Sequence, residues 1–253
     1  MNSLKNRIQK GIKPGFWNAT TLLKDFAIVT YLVEVEKLKK HIPIEFEIVT
    51  IEVNGKKMGI MSAVPFLDKD FHIKKFFPFI KFQFYQTNYR VYVKEKSTGE
   101  HIAWFFGTNL GSVIVNIPRV LWRIPWHYAK YKDTGKNENY KLNIASKFNS
   151  GDIEFTKTNQ QIELIEGFES MTEMMLILTH PIKGAYYKLN GEIGTYKIAH
   201  PKMELKLGQA KQLYFSLYEK LELLTKDEMN KPFAIFYLND IRFDIELPPK
   251  NNA

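Results

Sequence analysis

Apolar and polar positions alternate with a period of two along much of this chain, and strand patterns outnumber helical ones. Phe46–Val53 and Lys56–Val64 flank Asn54-Gly55, the dipeptide that accepts φ > 0 at both centres of a type I′ turn, so they predict a β-hairpin. Gln83–Lys94, rich in Phe, Tyr and Val, predicts a strand joined through Ser97-Thr98-Gly99 to a second at His101–Phe106. Further strands are expected at Asn143–Phe148, Ile153–Thr158, Gln161–Glu166, Thr195–His200, Ile235–Leu238 and Ile241–Leu247, with a polar loop at Asp133–Asn139. Helical spacing is rarer. It marks Glu34–His41, Gly111–Trp122 with Pro118 inside it, Glu169–Leu178, and Gln209–Leu224, where Leu213, Leu217, Leu221 and Leu224 form a stripe. The pattern predicts an α+β fold, mainly antiparallel β, closed on itself like a barrel with a few packed helices.

Composition narrows the chemistry. A chain of 253 residues, 45% of them hydrophobic, can bury a large core without covalent staples. No repeat or linker divides it, so one domain is expected over residues 1–253, with 1–20 as an N-terminal extension. It contains 0 cysteines, which excludes disulfides, thiol catalysis, zinc–thiolate sites and iron–sulfur clusters and suits a cytoplasmic location. Met1–Lys13 has no apolar signal core. His101–Pro118 is uncharged over 18 residues, but its two Asn, two Gly and terminal Pro fit a buried strand–turn–helix better than a membrane span.

The net charge of +9 is uneven, since residues 1–150 carry 24 Lys and Arg against 12 Asp and Glu. The lysines are scattered and only five arginines occur, so a solvated basic surface is expected and no nucleic-acid partner. Phe71–Phe84 is different. It interleaves six phenylalanines with three lysines, which suits a loop feeding a strand and, alternatively, contact with a membrane surface or a protein partner.

Phosphate-cradling and nucleophile-elbow motifs are absent, and no two of the six histidines lie three to five residues apart, so neither a cofactor nor a metal is expected. Two segments concentrate polar groups. In Gln86–Val93, strand alternation puts Gln86, Asn88, Arg90 and Tyr92 on one face and Thr87, Tyr89, Val91 and Val93 on the other; either face suits the interior. Arg119–Tyr131 gathers Trp122, Trp126, His127, Tyr128 and Lys130 around Pro125, a density that suits a cavity lining.

These segments carry a resemblance. Gln86, Asn88, Arg90, Tyr92 and Val93 are similar to the strand motif E-x-N-x-R-x-Y-V of a YqjF-like family of bacterial proteins related to acetoacetate decarboxylase. Arg119, Ile124, Pro125, Trp126 and Ala129 follow the same family's next motif, with Trp126 in place of its Tyr. Val64-Pro65-Phe66, Met171-Thr172-Glu173-Met174-Met175 and His200 occupy further motif positions in order, so the resemblance covers most of residues 25–250.

The resemblance implies a curved β-barrel or cone enclosing a cavity, with helices at the periphery. It also implies that the decarboxylase's Schiff-base lysine is replaced by Trp126 and its acidic partner by Gln86, with Lys130 the nearest amine. An indole forms no Schiff base, so the expected function is binding of a small anionic or carbonyl-bearing organic molecule without that decarboxylation. Arg90 is either its carboxylate anchor or the ion-pair partner of an acid such as Glu173. Gln86, Asn88, Tyr92, Trp104, Trp126, His127 and Tyr128 complete the expected ligand site. The rival readings are a lyase or hydrolase using His127 or Lys130, and a membrane-surface or interaction protein using Phe71–Phe84.

Overall fold

The computed structural model describes residues 13, 15–75 and 78–251. Most of the expected N-terminal extension, and Phe76 and Phe77 of the Phe71–Phe84 segment, lie outside the described residues. In chain order the elements are β1 Ala19–Glu34, α1 Val35–Lys39, β2 Phe46–Ile48, β3 Thr50–Val53, β4 Lys56–Ile73, β5 Phe82–Glu95 and β6 His101–Leu110. A 3₁₀ turn, Val113–Val115, then leads into α2 Asn116–Leu121, β7 Trp126–Tyr128, β8 Lys130–Asp133, β9 Asn139–Ala145 and β10 Gly151–Gln161. After these come α3 Met171–Thr179, β11 Lys183–Tyr187, β12 Ile193–Ala199, β13 Lys206–Phe215, α4 Ser216–Lys220, α5 Lys226–Met229, β14 Ala234–Ile245 and β15 Lys250–Asn251.

The strands hydrogen-bond in the order β15-β12-β11-β6-β5-β4-β1-β14-β13-β10-β9-β8, mostly antiparallel. β11 and β7 each run parallel to β6. β12 also pairs β14 through Ile198↔Ile245 and Ala199↔Asp244, which closes a circuit of strands. Bulges bend it. The β1–β4 register shifts between Lys24 and Val29, with Asp25 at φ 48, and the β4–β5 register shifts between Asp68 and Phe71, with Asp70 at φ 57. Asn54 (φ 51) and Gly55 (φ 70) make the expected hairpin turn between β3 and β4.

The sheet carries a core on each face. Tyr89, Val91 and Val93 of β5 pack with Tyr31, Trp104, Phe155, Phe215 and Tyr218 on one side. Val64, Phe66 and Tyr92 pack with Met174 and Leu178 of α3 and with Phe236 and Phe243 on the other. The second side holds the cavity described below. Among the described residues no helix is long and apolar enough to cross a membrane.

Three expectations are corrected. The helix expected at Gln209–Leu224 is the strand β13 followed by the single turn α4. β13 pairs with β10 as far as Phe215 and with β14 at Lys206 and Leu207, and this ladder outweighs a leucine spacing shared by a strand end, a turn and a loop. The strand expected at Gln161–Glu166 stops at Gln161, whose pairing with Lys206 is the last of its ladder. The two strands expected at Ile235–Leu238 and Ile241–Leu247 are one, β14. The sequence pattern also missed β1, the strand between β4 and β14.

Candidate functional site

The inward faces of β1, β4, β5, β12 and β14, roofed by the α2 segment, enclose a cavity of about 430 Å³. Its wall is mostly aliphatic and aromatic. Among the described lining residues the ionisable side chains are Arg90, Asp68 and the phenol of Tyr196, with no lysine or histidine. Alternation of β5 selects the inner face: Phe84, Gln86, Asn88 and Arg90 line the cavity, while Tyr89, Val91 and Val93 enter the opposite core.

Arg90 is 7% exposed and held by neutral partners. Its Nε donates to Ser62 Oγ at 3.2 Å, and its Nη2 donates to Tyr92 OH and to the Leu178 carbonyl, both at 3.1 Å. Tyr92 OH also donates to the Leu178 carbonyl at 3.0 Å and lies 3.0 Å from Ser62 Oγ, so the three side chains form one ring of bonds. Leu178 belongs to the last turn of α3, where carbonyls carry the negative end of the helix dipole. Among the described residues no carboxylate lies within 4.0 Å of Arg90, so the expected ion pair with Glu173 is not formed. Glu173 instead caps α3, where its carboxylate accepts from the Glu169 N–H at 2.7 Å. Nη1 of Arg90 takes no protein partner among the described residues.

Beside Arg90, Asn88 Oδ1 accepts from Gln86 Nε2 and from Thr108 Oγ1, each at 2.9 Å. With its oxygen so occupied, Asn88 presents its amide N–H groups as donors. Asp68 lies six residues from Ser62 along β4, and Ser62 pairs with Arg90, so about 20 Å of strand separates the two charged residues. Asp68 is 3% exposed. One carboxyl oxygen accepts from Thr21 Oγ1 at 2.9 Å; the other is buried without a partner among the described residues. Burial raises its pKa to about 7 against the lowering effect of Thr21, so near neutrality it is a proton donor as much as an anion. Behind the cavity wall, His200 is stacked between His180 and Phe243, with ring centroids 4.3 and 4.4 Å away. Its Nδ1 lies 2.9 Å from the Pro201 carbonyl, an acceptor, which puts the proton on Nδ1. Burial first, and the charge of Arg90 further, lower its pKa to about 4.

The structure therefore brings Gln86, Asn88, Arg90 and Trp126 to the cavity, and Tyr92 supports Arg90 from behind. It does not bring the others into the wall. Trp104 pairs with Val91, which fixes it on the opposite face, packed on Phe46 and Tyr187. His127 and Tyr128 follow Trp126 on β7. His127 stacks on Phe148 at 4.1 Å, its pKa lowered by burial and then by Arg119, and Tyr128 is exposed. Lys130 is exposed on β8, where the strand order ends. Among the described residues no group of three His, Asp or Glu is placed to hold a metal ion. Sequence reasoning missed Asp68. Its signal was available, since alternation in Val64–Asp68 puts this lone acid on the face of Val64 and Phe66.

Comparison of folds gives several matches over nearly the whole chain. Acetoacetate decarboxylase from Legionella pneumophila superposes with a TM-score of 0.61 at 10% identity, covering 100% of this chain and 96% of that one. An acetoacetate decarboxylase-like enzyme from Sphingomonas wittichii gives 0.55 at 9%, covering 95% and 94%. The enduracididine biosynthesis enzyme MppR, complexed with pyruvate, gives 0.53 at 9%, covering 95% and 91%. These likenesses establish the acetoacetate decarboxylase-like fold. No curated protein sequence matches the chain. The family profile described as DUF2071, uncharacterized conserved protein, matches residues 20–239. The chain belongs to that DUF2071 family.

Proposed function

We propose that this protein binds a small organic anion in the cavity, its carboxylate on Arg90 and its apolar body along the aromatic wall, and that it performs no Schiff-base chemistry. The observation that carries this reading is Arg90: a buried guanidinium facing an apolar cavity, oriented by three neutral partners and neutralised by none within 4.0 Å among the described residues. A planar fork with free N–H groups suits a carboxylate, and the apolar wall excludes the water that would weaken the pair. Asn88 adds donors beside it. A carbonyl-bearing acid fits the same groups. Covalent capture does not, because Trp126 stands at the position that the family resemblance assigns to the reactive lysine, and the described wall contains no lysine. MppR, of the same fold, has a solved structure complexed with pyruvate, which is consistent with a carboxylate ligand. No observation favours His127 or Lys130 as a catalytic group.

Trp17, Trp122 and Trp126 line the cavity, so their emission reports occupancy. Titration with straight-chain monocarboxylates and 2- and 3-keto acids is expected to shift that emission saturably, and Arg90→Met is expected to weaken binding by at least about tenfold, the loss of a charge-assisted pair. Borohydride with bound keto acid is expected to leave the mass of the protein unchanged. A flat emission across the panel, or equal affinity in folded Arg90→Met, would overturn the reading.

A further inference from the structure

The cavity opens on a surface that is apolar where a soluble protein is ordinarily polar. Ile80, Phe82, Ile117 and Leu121 line the cavity and are also exposed, which places them at its mouth. Around them the exposure is larger: Phe79 is 85% exposed, Val120 76% and Val113 73%. Val113, Ile117, Val120 and Leu121 follow the i, i+4, i+7, i+8 spacing of one helix face, a stripe that normally turns to the core. Here it turns to solvent, while Val115 and Pro118 of the same segment are buried. A contiguous apolar rim around an opening is a contact surface.

Charge identifies what the rim contacts. Phe71–Phe84 and His101–Lys132, the two segments that build most of it, contain no Asp or Glu. Lys75, Lys81 and Arg123 are exposed beside the apolar side chains, and the nearby Asp70 lies only 4.0 Å from Lys81. Two copies meeting through this face would set these cations against their own equivalents. An anionic bilayer satisfies both features at once: phosphate headgroups receive the cations, and the interfacial zone receives Phe79, Val113 and Val120.

We propose that the cavity mouth is a docking face for an anionic lipid bilayer, with Phe79, Val113, Val120 and Leu121 entering the interface and Lys75, Lys81 and Arg123 on the headgroups. The docked orientation puts the mouth against the membrane, the phase in which amphipathic carboxylates concentrate. The docking stands independently of what the cavity holds.

The full-length protein is mixed with vesicles of phosphatidylcholine alone and with about 30 mol% phosphatidylglycerol, at about 0.1 and 0.5 M salt, and bound protein is separated by flotation. Binding to the anionic vesicles is expected to exceed binding to the neutral ones and to fall at high salt. The double variant Phe79→Asp, Val120→Asp changes two exposed positions and is expected to keep the wild-type unfolding midpoint while losing vesicle binding by at least about tenfold. Arg90→Met, which disables the proposed ligand site, is expected to bind vesicles as the wild type does. No flotation with anionic vesicles, undiminished flotation of the double variant, or loss of flotation in Arg90→Met would each overturn the proposal. So would a wild-type dimer that the double variant dissociates while vesicle binding is absent.

Discussion

Asp68 offers a test of the cavity's interior that requires no ligand. Its carboxyl is buried with one oxygen bonded to Thr21 and the other without a partner among the described residues, and its pKa rises from 3.8 to about 7. Below pH 3.8 the group is protonated in both folded and unfolded chains and has no effect on the balance. Between pH 3.8 and about 7 the unfolded chain ionises it while the folded one does not, so stability is lost as pH rises through this window. Above about 7 the full loss is reached, about 4 kcal/mol at 1.36 kcal/mol per pH unit. Asp68→Asn keeps an acceptor for Thr21 and abolishes the titration. Urea unfolding followed by tryptophan emission from pH 4 to pH 9 should therefore show the variant gaining on the wild type by up to about 1.4 kcal/mol per pH unit, levelling above pH 7. The amide also changes hydrogen bonding by about 1 kcal/mol, but that offset is independent of pH, so the slope of the difference is the diagnostic quantity. Parallel stability curves for the two proteins would refute the reasoning, because they would mean that Asp68 ionises normally in the folded state.

His200 is expected to act with the opposite sign. Its pKa falls from 6.5 to about 4 on folding, so its contribution is complete above pH 6.5 and is lost, by about 3 kcal/mol, as pH falls toward 4; His200→Gln should remove this slope in the same urea series. The two titrations overlap and oppose each other, so the wild type should be flatter between pH 4 and 6.5 than either variant. Trp104→Ala should cost about 3–5 kcal/mol in unfolding free energy yet leave the carboxylate affinity of the folded protein unchanged, because the indole packs on Phe46 and Tyr187 on the face away from the cavity. Gly59→Ala should cost about 1–3 kcal/mol in the same assay, since its Cβ would meet Leu38 Cδ1 at 2.4 Å and Ile48 Cγ2 at 3.0 Å, both in packed side chains.

The elements that the sequence displayed were those whose signal is local. The Asn54-Gly55 hairpin needs only two residues with φ > 0, and Glu34–His41 and Glu169–Leu178 contain their helices because Pro43 stops one and Ser170 caps the other. The β5 motif was legible as a row of polar residues at even spacing, but which face looks inward depends on Val64 and Phe66 pairing alongside, a long-range fact. β1 escaped for a related reason. It is covered on both sides over Ala27–Tyr31, so its apolar residues run on without alternation. The Gln209–Leu224 stripe misled because its four leucines serve three different elements. Within the candidate site, Arg90 and Trp126 are named by motif order, whereas strand alternation carries Trp104 to the opposite face and the edge position of β8 carries Lys130 to solvent.

The comparison with the decarboxylase-like fold turns on what the cavity wall can do with a carbonyl group. A Schiff base needs an unprotonated amine, which burial supplies by disfavouring the ammonium form. The described wall offers no amine. Its one nitrogen cation, Arg90, is a delocalised guanidinium and no nucleophile. The proposed function is binding, and the energetics of Arg90 give that proposal its direction. A buried charge left without its counterion is costly, and removing one partner of a buried pair typically costs about 3–5 kcal/mol. Ser62, Tyr92 and the Leu178 carbonyl orient the guanidinium and soften that cost through dipoles, but they bring no full negative charge. In the proposed reading a ligand carboxylate supplies it, so the strain of holding Arg90 in an apolar wall becomes affinity for an anion. In that same reading, the wall that offers no amine to trap a keto acid covalently holds one reversibly.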